Sequence, residues 1–239
     1  MTTLSASNAS TPRNRGWVRA AAWTVGAVGG FFVLHRFDLT LMTLRYRWLE
    51  HEPRLLFDHL IEAFRQFGQV VSVVVVLVLV LTYAQRWKRI VCALLIAELL
   101  AAAVYYPGKL LVARYRPEAA VQQWADGDHE KAEEALQRHR PADTWIGIQP
   151  GNWDRDLQSF PSGHAAGAFV LAGVLVRFYP ELAVLLWTLA GGCAASRALD
   201  AVHWPSDCWA GAIVGFLAAR IALALCARPR VPISPDTFA

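Results

Sequence analysis

Three short segments of the sequence contain side chains that could bind and attack a phosphate group. In the first, six residues separate Lys109 from Arg116-Pro117. We expect Pro107-Gly108 to break the preceding helix, and a short helical continuation to place Lys109 and Arg116 two turns apart on one side. Two cations held together beside an apolar segment indicate an anion site. Taken alone, the motif leaves open the alternative of two exposed basic residues.

The second segment is Pro161-Ser162-Gly163-His164. A proline, a small hydroxyl residue and a glycine are typical of a helix start, where free N–H groups bind phosphate or another anion. A histidine inside an otherwise apolar segment is costly unless it has a function. The alternative for His164 is a structural hydrogen bond inside the helix bundle.

The third segment contains Ser196-Arg197, then His203 and Asp207. Pro205 can begin a helix that has Asp207 in its first turn, a favourable position for a carboxylate. The four-residue spacing predicts that Asp207 accepts a hydrogen bond from one imidazole nitrogen of His203. The other nitrogen would then be free to act as a nucleophile. An interfacial salt bridge is the competing interpretation.

The composition indicates that membrane helices must position these segments. Of 239 residues, 55% are apolar and only 18% are charged, and the mean hydropathy is +0.31. Soluble domains carry roughly 25% charged residues, so the chain is not a disordered protein, a coiled coil or a typical nucleic-acid binder. The four cysteines lie in apolar stretches without metal-ligand spacing. They therefore predict neither a disulfide framework nor a zinc site.

Six segments approach the roughly 20 apolar residues that a membrane-spanning helix needs. They are residues 20–34, 66–85, 90–106, 157–176, 182–196 and 208–227. We therefore predict an all-α, polytopic membrane protein with six transmembrane helices. It would form one domain over residues 17–228, between a polar N-terminal tail (1–16) and a C-terminal tail (229–239).

Two long segments lie between these spans. The segment 37–67 contains charged residues alternating with apolar ones at helical spacing, which predicts an amphipathic helix lying in the membrane interface. The apolar residues are Leu56, Leu60, Ile61, Phe64 and Phe67. Residues 118–156 predict a solvated outer cap loop with a polar helix at 128–138. The raw count of Lys and Arg leaves the orientation ambiguous, but the short basic turn 86–89 and the arginines before the first span favour cytoplasmic termini. All three motifs would then lie at the outer face.

The three motifs together resemble the signature motifs of the type 2 phosphatidic acid phosphatase (PAP2) family. KLLVARYRP, PSGH and SRALDAVHWPSD are complete and in the family's order, and they cover residues 109–207. The resemblance implies that His203 attacks phosphorus to form a phosphohistidine, that Asp207 orients His203, and that His164 protonates the leaving oxygen. It also implies a set of phosphate-binding residues: Lys109, Arg116, Ser162, Gly163 and Arg197.

The resemblance implies a lipid phosphatase. With the termini in the cytoplasm, its active site would face the periplasm of a bacterial plasma membrane. The substrate would be undecaprenyl pyrophosphate, phosphatidylglycerophosphate, phosphatidate or a lipid A phosphate, drawn from the bilayer. Cations and a helix N-terminus can stabilise a phosphoryl transition state, so we expect no metal and no other cofactor. We also expect no nucleic acid and no obligate protein partner. The alternatives are a phosphotransferase, a phosphatase for a soluble substrate, and a catalytically silent lipid-binding or transport protein.

Overall fold

The computed structural model describes residues 12–49, 55–125 and 131–227, which are mostly helical. Two short strands, β1 (Val112–Arg114) and β2 (Trp145–Ile148), pair antiparallel and add a small sheet to the predicted all-α fold. The described helices are α1 (Pro12–Leu49), α2 (Leu55–Phe67), α3 (Val70–Tyr83), α4 (Trp87–Leu111), α5 (Pro117–Trp124), α6 (Ala132–Arg138), α7 (Gly163–Phe178), α8 (Ala183–Leu199) and α9 (Pro205–Leu225).

Helix α7 lies at the centre of the bundle and packs against α4, α8 and α9. The backbones of α7 and α9 approach each other so closely that a side chain would not fit between them. A Cβ atom on Gly211 would lie 2.2 Å from the Ser162 carbonyl oxygen, and one on Gly215 would lie 2.1 Å from that of Ala166. Small residues at such positions let two membrane helices approach backbone to backbone. The contact sets the first turn of α7 directly against the start of α9.

Four of the described helices are long and apolar enough to cross a membrane, and a fifth span results if α2 and α3 count as one. Those two helices form a pair bent by 59°. Helix α7 is apolar but has only 16 residues. The protein is therefore an integral membrane helical bundle, as the composition predicts. The number six stays a prediction.

The helices place all three motifs at one end of the bundle. The C-terminal ends of α4 and α8 and the N-terminal ends of α7 and α9 meet there around one cavity. At the opposite end, Tyr83 of α3, Ile90 of α4 and Tyr179 after α7 line a separate cavity. Consecutive helices of this group therefore alternate in direction, which brings motifs far apart in the sequence together.

The amphipathic helix predicted within residues 37–67 is confirmed as α2, although it covers only the second half of that segment. Its position in the membrane interface stays a prediction. Helix α1 does not stop near residue 34 but continues to Leu49, and α2 begins at Leu55. The outer part of α1 buries Leu39, Met42 and Tyr46 against α5, α6 and Trp204, so this stretch is covered by protein. Helix α2 packs against α8, where a Cβ on Gly192 would meet the Phe64 ring at 2.2 Å.

The predicted outer cap has a core of its own. Val121 and Leu136 are buried together with the outer part of α1, and an ion pair joins Arg47 of α1 to Glu133 of α6. The cap is therefore attached to the first helix. The polar helix predicted at 128–138 begins at Ala132; residues 126–130 and both terminal tails lie outside the described residues.

Candidate active site

The motif end of the bundle surrounds a cavity of about 530 Å³. Six of the eight predicted site residues line it, and so do Arg155, Gln158, Tyr105, Tyr106 and the chain from Gly68 to Val71. No aspartate or glutamate is among the lining residues. The cavity therefore has a strong positive potential suited to an anion. The six predicted residues are Lys109, Arg116, Gly163, His164, Arg197 and His203.

Lys109 and Arg116 reach the cavity differently from the prediction. Helix α4 continues through Pro107 to Leu111 and is followed by strand β1, and Arg116 caps the start of α5. The two cations are therefore not on one helix, because pairing of β1 with β2 turns the chain away. Lys109 Nζ donates to the Gln158 carbonyl at 2.8 Å, and the Arg116 amide donates to the Asp156 carbonyl at 2.7 Å. The loop before α7 thus holds both residues in place.

Ser162 begins α7, as predicted for a helix start, but it does not line the cavity. It is fully buried, and its hydroxyl accepts a 3.4 Å hydrogen bond from the Ala165 amide. Its own amide donates to the Asp207 carbonyl at 3.1 Å. Gly163 and His164 follow it into the cavity. Ser162 is therefore a helix cap that joins α7 to α9, and a direct contact with phosphate is not what the geometry shows.

Asp207 does not contact the imidazole of His203, contrary to the prediction. His203 Nδ1 instead lies 2.7 Å from the main-chain carbonyl oxygen of Ser159. The carboxylate instead binds Arg114, the Ser159 hydroxyl and the Trp204 amide, so it is not available to the imidazole. A carbonyl oxygen only accepts, so Nδ1 bears the proton and Nε2 keeps its lone pair. The outcome expected from Asp207 is thus reached through a different group.

Asp207 is fully buried behind His203. One of its oxygens pairs with Arg114, and the other accepts from the Ser159 hydroxyl at 2.5 Å and the Trp204 amide at 3.0 Å. Asp207 therefore fixes Ser159, whose carbonyl in turn orients His203. None of the Asp207 hydrogen bonds in the described part of the chain reaches the imidazole.

The electrostatic environment keeps His203 neutral. Burial, together with the charges of Lys109, Arg116 and Arg197, lowers the pKa of His203 well below its ordinary value, against the opposing effect of the Ser159 carbonyl. Burial and the neighbouring Arg155 also lower the pKa of Arg116, although a guanidinium stays charged at any physiological pH. The cavity therefore combines an uncharged imidazole with fixed positive charges.

Sequence reasoning missed four residues at or behind this cavity: Asp38, Arg114, Arg155 and Ser159. Arg114 stands inside the first motif, and an arginine between apolar residues before Arg116-Pro117 was a readable signal. Asp38 lies a few residues after an apolar run, and this position is a weaker signal. Ser159 acts partly through its main-chain carbonyl, which no sequence pattern reveals. Arg155 lines the cavity from the loop before α7.

Within the described residues, no group of three or more His, Cys, Asp or Glu side chains is placed to hold a metal ion. The polar side chains that line the cavity are basic groups, imidazoles, tyrosines and glutamines. Such a donor set fits an anion with several oxygen atoms, such as a phosphoryl group.

The helical membrane bundle and its cationic cavity define a membrane-embedded phosphohydrolase. The family model of the PAP2 superfamily matches residues 90–229, and the chain belongs to that superfamily. It is thus a hydrolase of the phosphatase class, and the family supports a lipid phosphatase.

Among solved structures, the chain is similar to the crystal structure of Aquifex aeolicus LpxE. The TM-score is 0.56 at 22% sequence identity, over 78% of this chain and 94% of that one. At this identity the similarity concerns the fold. No curated protein sequence matches the chain.

Proposed function

We propose that the protein hydrolyses a phosphomonoester or pyrophosphate of a membrane lipid through a phosphohistidine on His203. The observation that supports this most directly is the state of that imidazole. The Ser159 carbonyl holds its Nδ1–H, so Nε2 is the nucleophilic atom beside three fixed cations. A buried, neutral imidazole is a nucleophile that needs no further activation.

The reaction has two balanced steps. His203 Nε2 attacks phosphorus and the bond from phosphorus to the lipid oxygen breaks, while His164 donates a proton to that oxygen. Water then attacks the phosphohistidine, gives a proton to His164 and releases inorganic phosphate, which restores His203. Because catalysis of phosphoryl transfer is mostly positioning and charge stabilisation, we assign the non-bridging oxygens to Lys109, Arg116 and Arg197.

We propose that this chemistry needs neither a metal ion nor another cofactor. Four cations (Lys109, Arg116, Arg155 and Arg197) and the first turn of α7, with the Gly163 amide, lie around the cavity and can balance the charge of a transferred phosphoryl group. Among the residues that the structure describes, no carboxylate lines the cavity to serve as the usual oxygen ligand of Mg²⁺. The charge-stabilising function therefore falls to the protein's own side chains.

The shape of the cavity favours a lipid over a soluble substrate. One side is formed by Val70, Val71 and Tyr106, whose side chains are 78%, 63% and 59% exposed on the surface of the bundle. Apolar side chains at the rim of a cationic cavity suit a molecule with a charged head and a hydrocarbon tail. The candidates are undecaprenyl pyrophosphate, phosphatidylglycerophosphate, phosphatidate and lipid A phosphates, which enter from the bilayer without an obligate protein or nucleic-acid partner.

The test is phosphate release by the purified protein in detergent across a panel of these lipids, with EDTA present. We expect release from at least one lipid phosphate, and a radiolabelled phosphohistidine that accumulates in His164→Ala. His203→Ala should abolish both signals. His139→Gln is the matched control, because His139 stacks on Trp124 in the cap at 4.0 Å and does not line the cavity. Full activity in His203→Ala would refute the proposal, and transfer to an alcohol without free phosphate would favour a phosphotransferase.

We further propose that six segments cross a bacterial plasma membrane, with α7 as the fourth and with cytoplasmic termini. The alternating helix directions and the central position of α7, which is buried along most of its length, support six crossings. A cysteine introduced within residues 126–134 should then react with an impermeant thiol reagent in intact cells, in a chain whose own cysteines are replaced. One introduced within residues 86–89 should react only after permeabilisation. The reverse pattern would place the active site at the cytoplasmic leaflet.

A further inference from the structure

Behind the cavity, a single guanidinium lies between two carboxylates that come from opposite ends of the chain. Arg114, Asp38 and Asp207 are all 0% exposed. Arg114 Nη2 donates to Asp38 Oδ2 at 2.6 Å, and Nη1 pairs with Asp207. The Trp145 ring covers the guanidinium with its centroid 4.3 Å from Cζ. None of the three side chains lines the cavity.

Asp38 is also hydrogen-bonded to the start of α9. Its Oδ1 accepts from the Ser206 amide at 3.0 Å, and its Oδ2 accepts from the Ser206 hydroxyl at 2.5 Å. The Ser206 hydroxyl in turn accepts from Arg114 at 2.8 Å. Helix α1 precedes the residues matched by the superfamily model. It thus supplies a buried carboxylate, hydrogen-bonded at both oxygens, to the cluster behind the active site.

A continuous set of hydrogen bonds joins this ion cluster to the nucleophile. It runs from Asp38 through Arg114 to Asp207, from Asp207 to the Ser159 hydroxyl, and from the Ser159 carbonyl to His203 Nδ1. Two carboxylates and one guanidinium give the cluster a formal charge of −1. Without Asp38, the charge of Arg114 would balance Asp207 alone and the cluster would be neutral.

That negative charge opposes the positive charges on the other side of the imidazole. His203 is affected by Lys109 of α4, Arg116 before α5 and Arg197 of α8. His164 of α7 lines the same cavity, and His35 of α1 lies 3.2 Å from Asp38 Oδ2. Attack on phosphorus makes the imidazole cationic, so a buried negative charge behind it stabilises the product of that step.

We propose that Asp38 and Arg114 are positioning residues that set the electrostatic environment of His203 through Asp207 and Ser159. This inference rests on the proposed role of His203 as the nucleophile. Helix α1 would then contribute to catalysis. It supplies Asp38, the second carboxylate, which gives the cluster a net negative charge although Arg114 neutralises one of the two.

The test uses the sign of the charge change. In the purified full-length protein, Asp38→Asn makes the cluster neutral, Arg114→Gln makes it −2, and the double variant restores −1. A more negative cluster favours the protonated imidazole and a less negative one disfavours it. We therefore expect the acidic limb of the kcat/KM profile to move to lower pH in Asp38→Asn and to higher pH in Arg114→Gln, by roughly half a unit to one unit.

The double variant should return the limb close to its wild-type position, and kcat should fall about 10- to 100-fold in each single variant. Ionisation of the substrate contributes equally to all profiles, so their differences report the protein. Glu133→Gln is the control, because it removes an exposed ion pair of α1 far from the cavity and should leave the profile unchanged. If Asp38→Asn does not fold, the shift of the acidic limb to higher pH in Arg114→Gln remains as the test, and an unmoved limb or a shift to lower pH there would overturn the inference.

The inference would be overturned if the acidic limb of the kcat/KM profile did not move, or moved in the same direction in both single variants. The cluster would then have only a structural role. The failure of the proposed function looks different. In that case the wild-type protein releases phosphate from no lipid, or His203→Ala stays active.

Discussion

The contact between Gly211 of α9 and the Ser162 carbonyl can be tested with one methyl group. In Gly211→Ala, the new Cβ would lie 2.2 Å from that oxygen, 3.1 Å from the carbonyl carbon and 3.2 Å from Ala165 Cβ. All three neighbours belong to the start of α7, and the nearest is main chain that cannot rotate away. The helices must therefore move apart where α7 presents Gly163 and His164 to the cavity.

The size of the effect follows from the overlap. Ordinary contact begins at 3.4 Å, so relief of the clash needs a displacement of about 1 Å. A misplacement of about 1 Å in a catalytic group can cost on the order of 10²-fold in rate. Overpacking of a close-packed interior costs about 1–3 kcal/mol. We expect Gly211→Ala to fold with reduced thermal stability and to lose about 100-fold in kcat.

The assay is phosphate release from a lipid phosphate, with size-exclusion chromatography and a thermal melt of the same preparation. The control is Gly191→Ala in α8, where a Cβ has nothing within 4 Å. That variant should retain its activity and should not lose stability, since alanine favours helix over glycine. A folded Gly211→Ala protein with kcat within about threefold of wild type would refute the idea that backbone contact between α7 and α9 sets the catalytic geometry.

Three further predictions follow from the charges around the cavity. The pKa of His203 lies well below its ordinary 6.5, so the imidazole is neutral at pH 7 and is protonated only at lower pH. As the pH is lowered, kcat/KM should therefore stay constant to below pH 6.5. A loss of activity that begins above pH 6.5 would contradict this. Arg155 lines the cavity beside Arg116 and has no acidic partner among the described residues. Arg155→Gln should lower kcat/KM about tenfold for a lipid diphosphate but much less for the matching monophosphate, and equal losses would remove it from substrate binding. Excess chelator should change the rate by less than twofold and vanadate should inhibit, since it resembles the transferred phosphoryl group; a strict requirement for a divalent cation would show that the cationic groups have been misassigned.

Hydropathy and spacing predicted the parts of the fold that depend on local sequence. Helices α4, α8 and α9 begin or end within a few residues of the predicted spans, because each is a long apolar run with clear polar ends. The course of the chain around residues 34–67 could not be predicted in this way. The outer part of α1 buries Leu39 and Met42 under the cap but leaves Leu44 and Trp48 exposed, so no single apolar face marks where this helix ends.

The site shows the same limit at shorter range. Lys109, His164 and His203 converge as their positions at segment ends predicted. Asp207 was assigned to the imidazole by its four-residue spacing from His203, but Arg114, Ser159 and Trp204 occupy its carboxylate. The carbonyl that accepts from the imidazole instead of Asp207 belongs to Ser159, which lies 44 residues before His203 in the chain. Pairing of β1 with β2 is equally non-local and moves Arg116 off the helix of Lys109. Contacts between distant segments determine these details.

The bend of 59° between α2 and α3 affects how the protein meets its substrate. Gly68 and Gln69 at the bend, with Val70 and Val71 after it, form one wall of the cavity. There, a Cβ on Gly68 would lie 2.4 Å from the His164 carbonyl oxygen. The proposed lipid substrate would reach a cavity bounded by membrane helices on that side by diffusing in two dimensions. Saturation of the cavity should therefore follow the mole fraction of substrate in the membrane or micelle. At fixed bulk concentration, added neutral detergent or lipid should slow turnover simply by surface dilution.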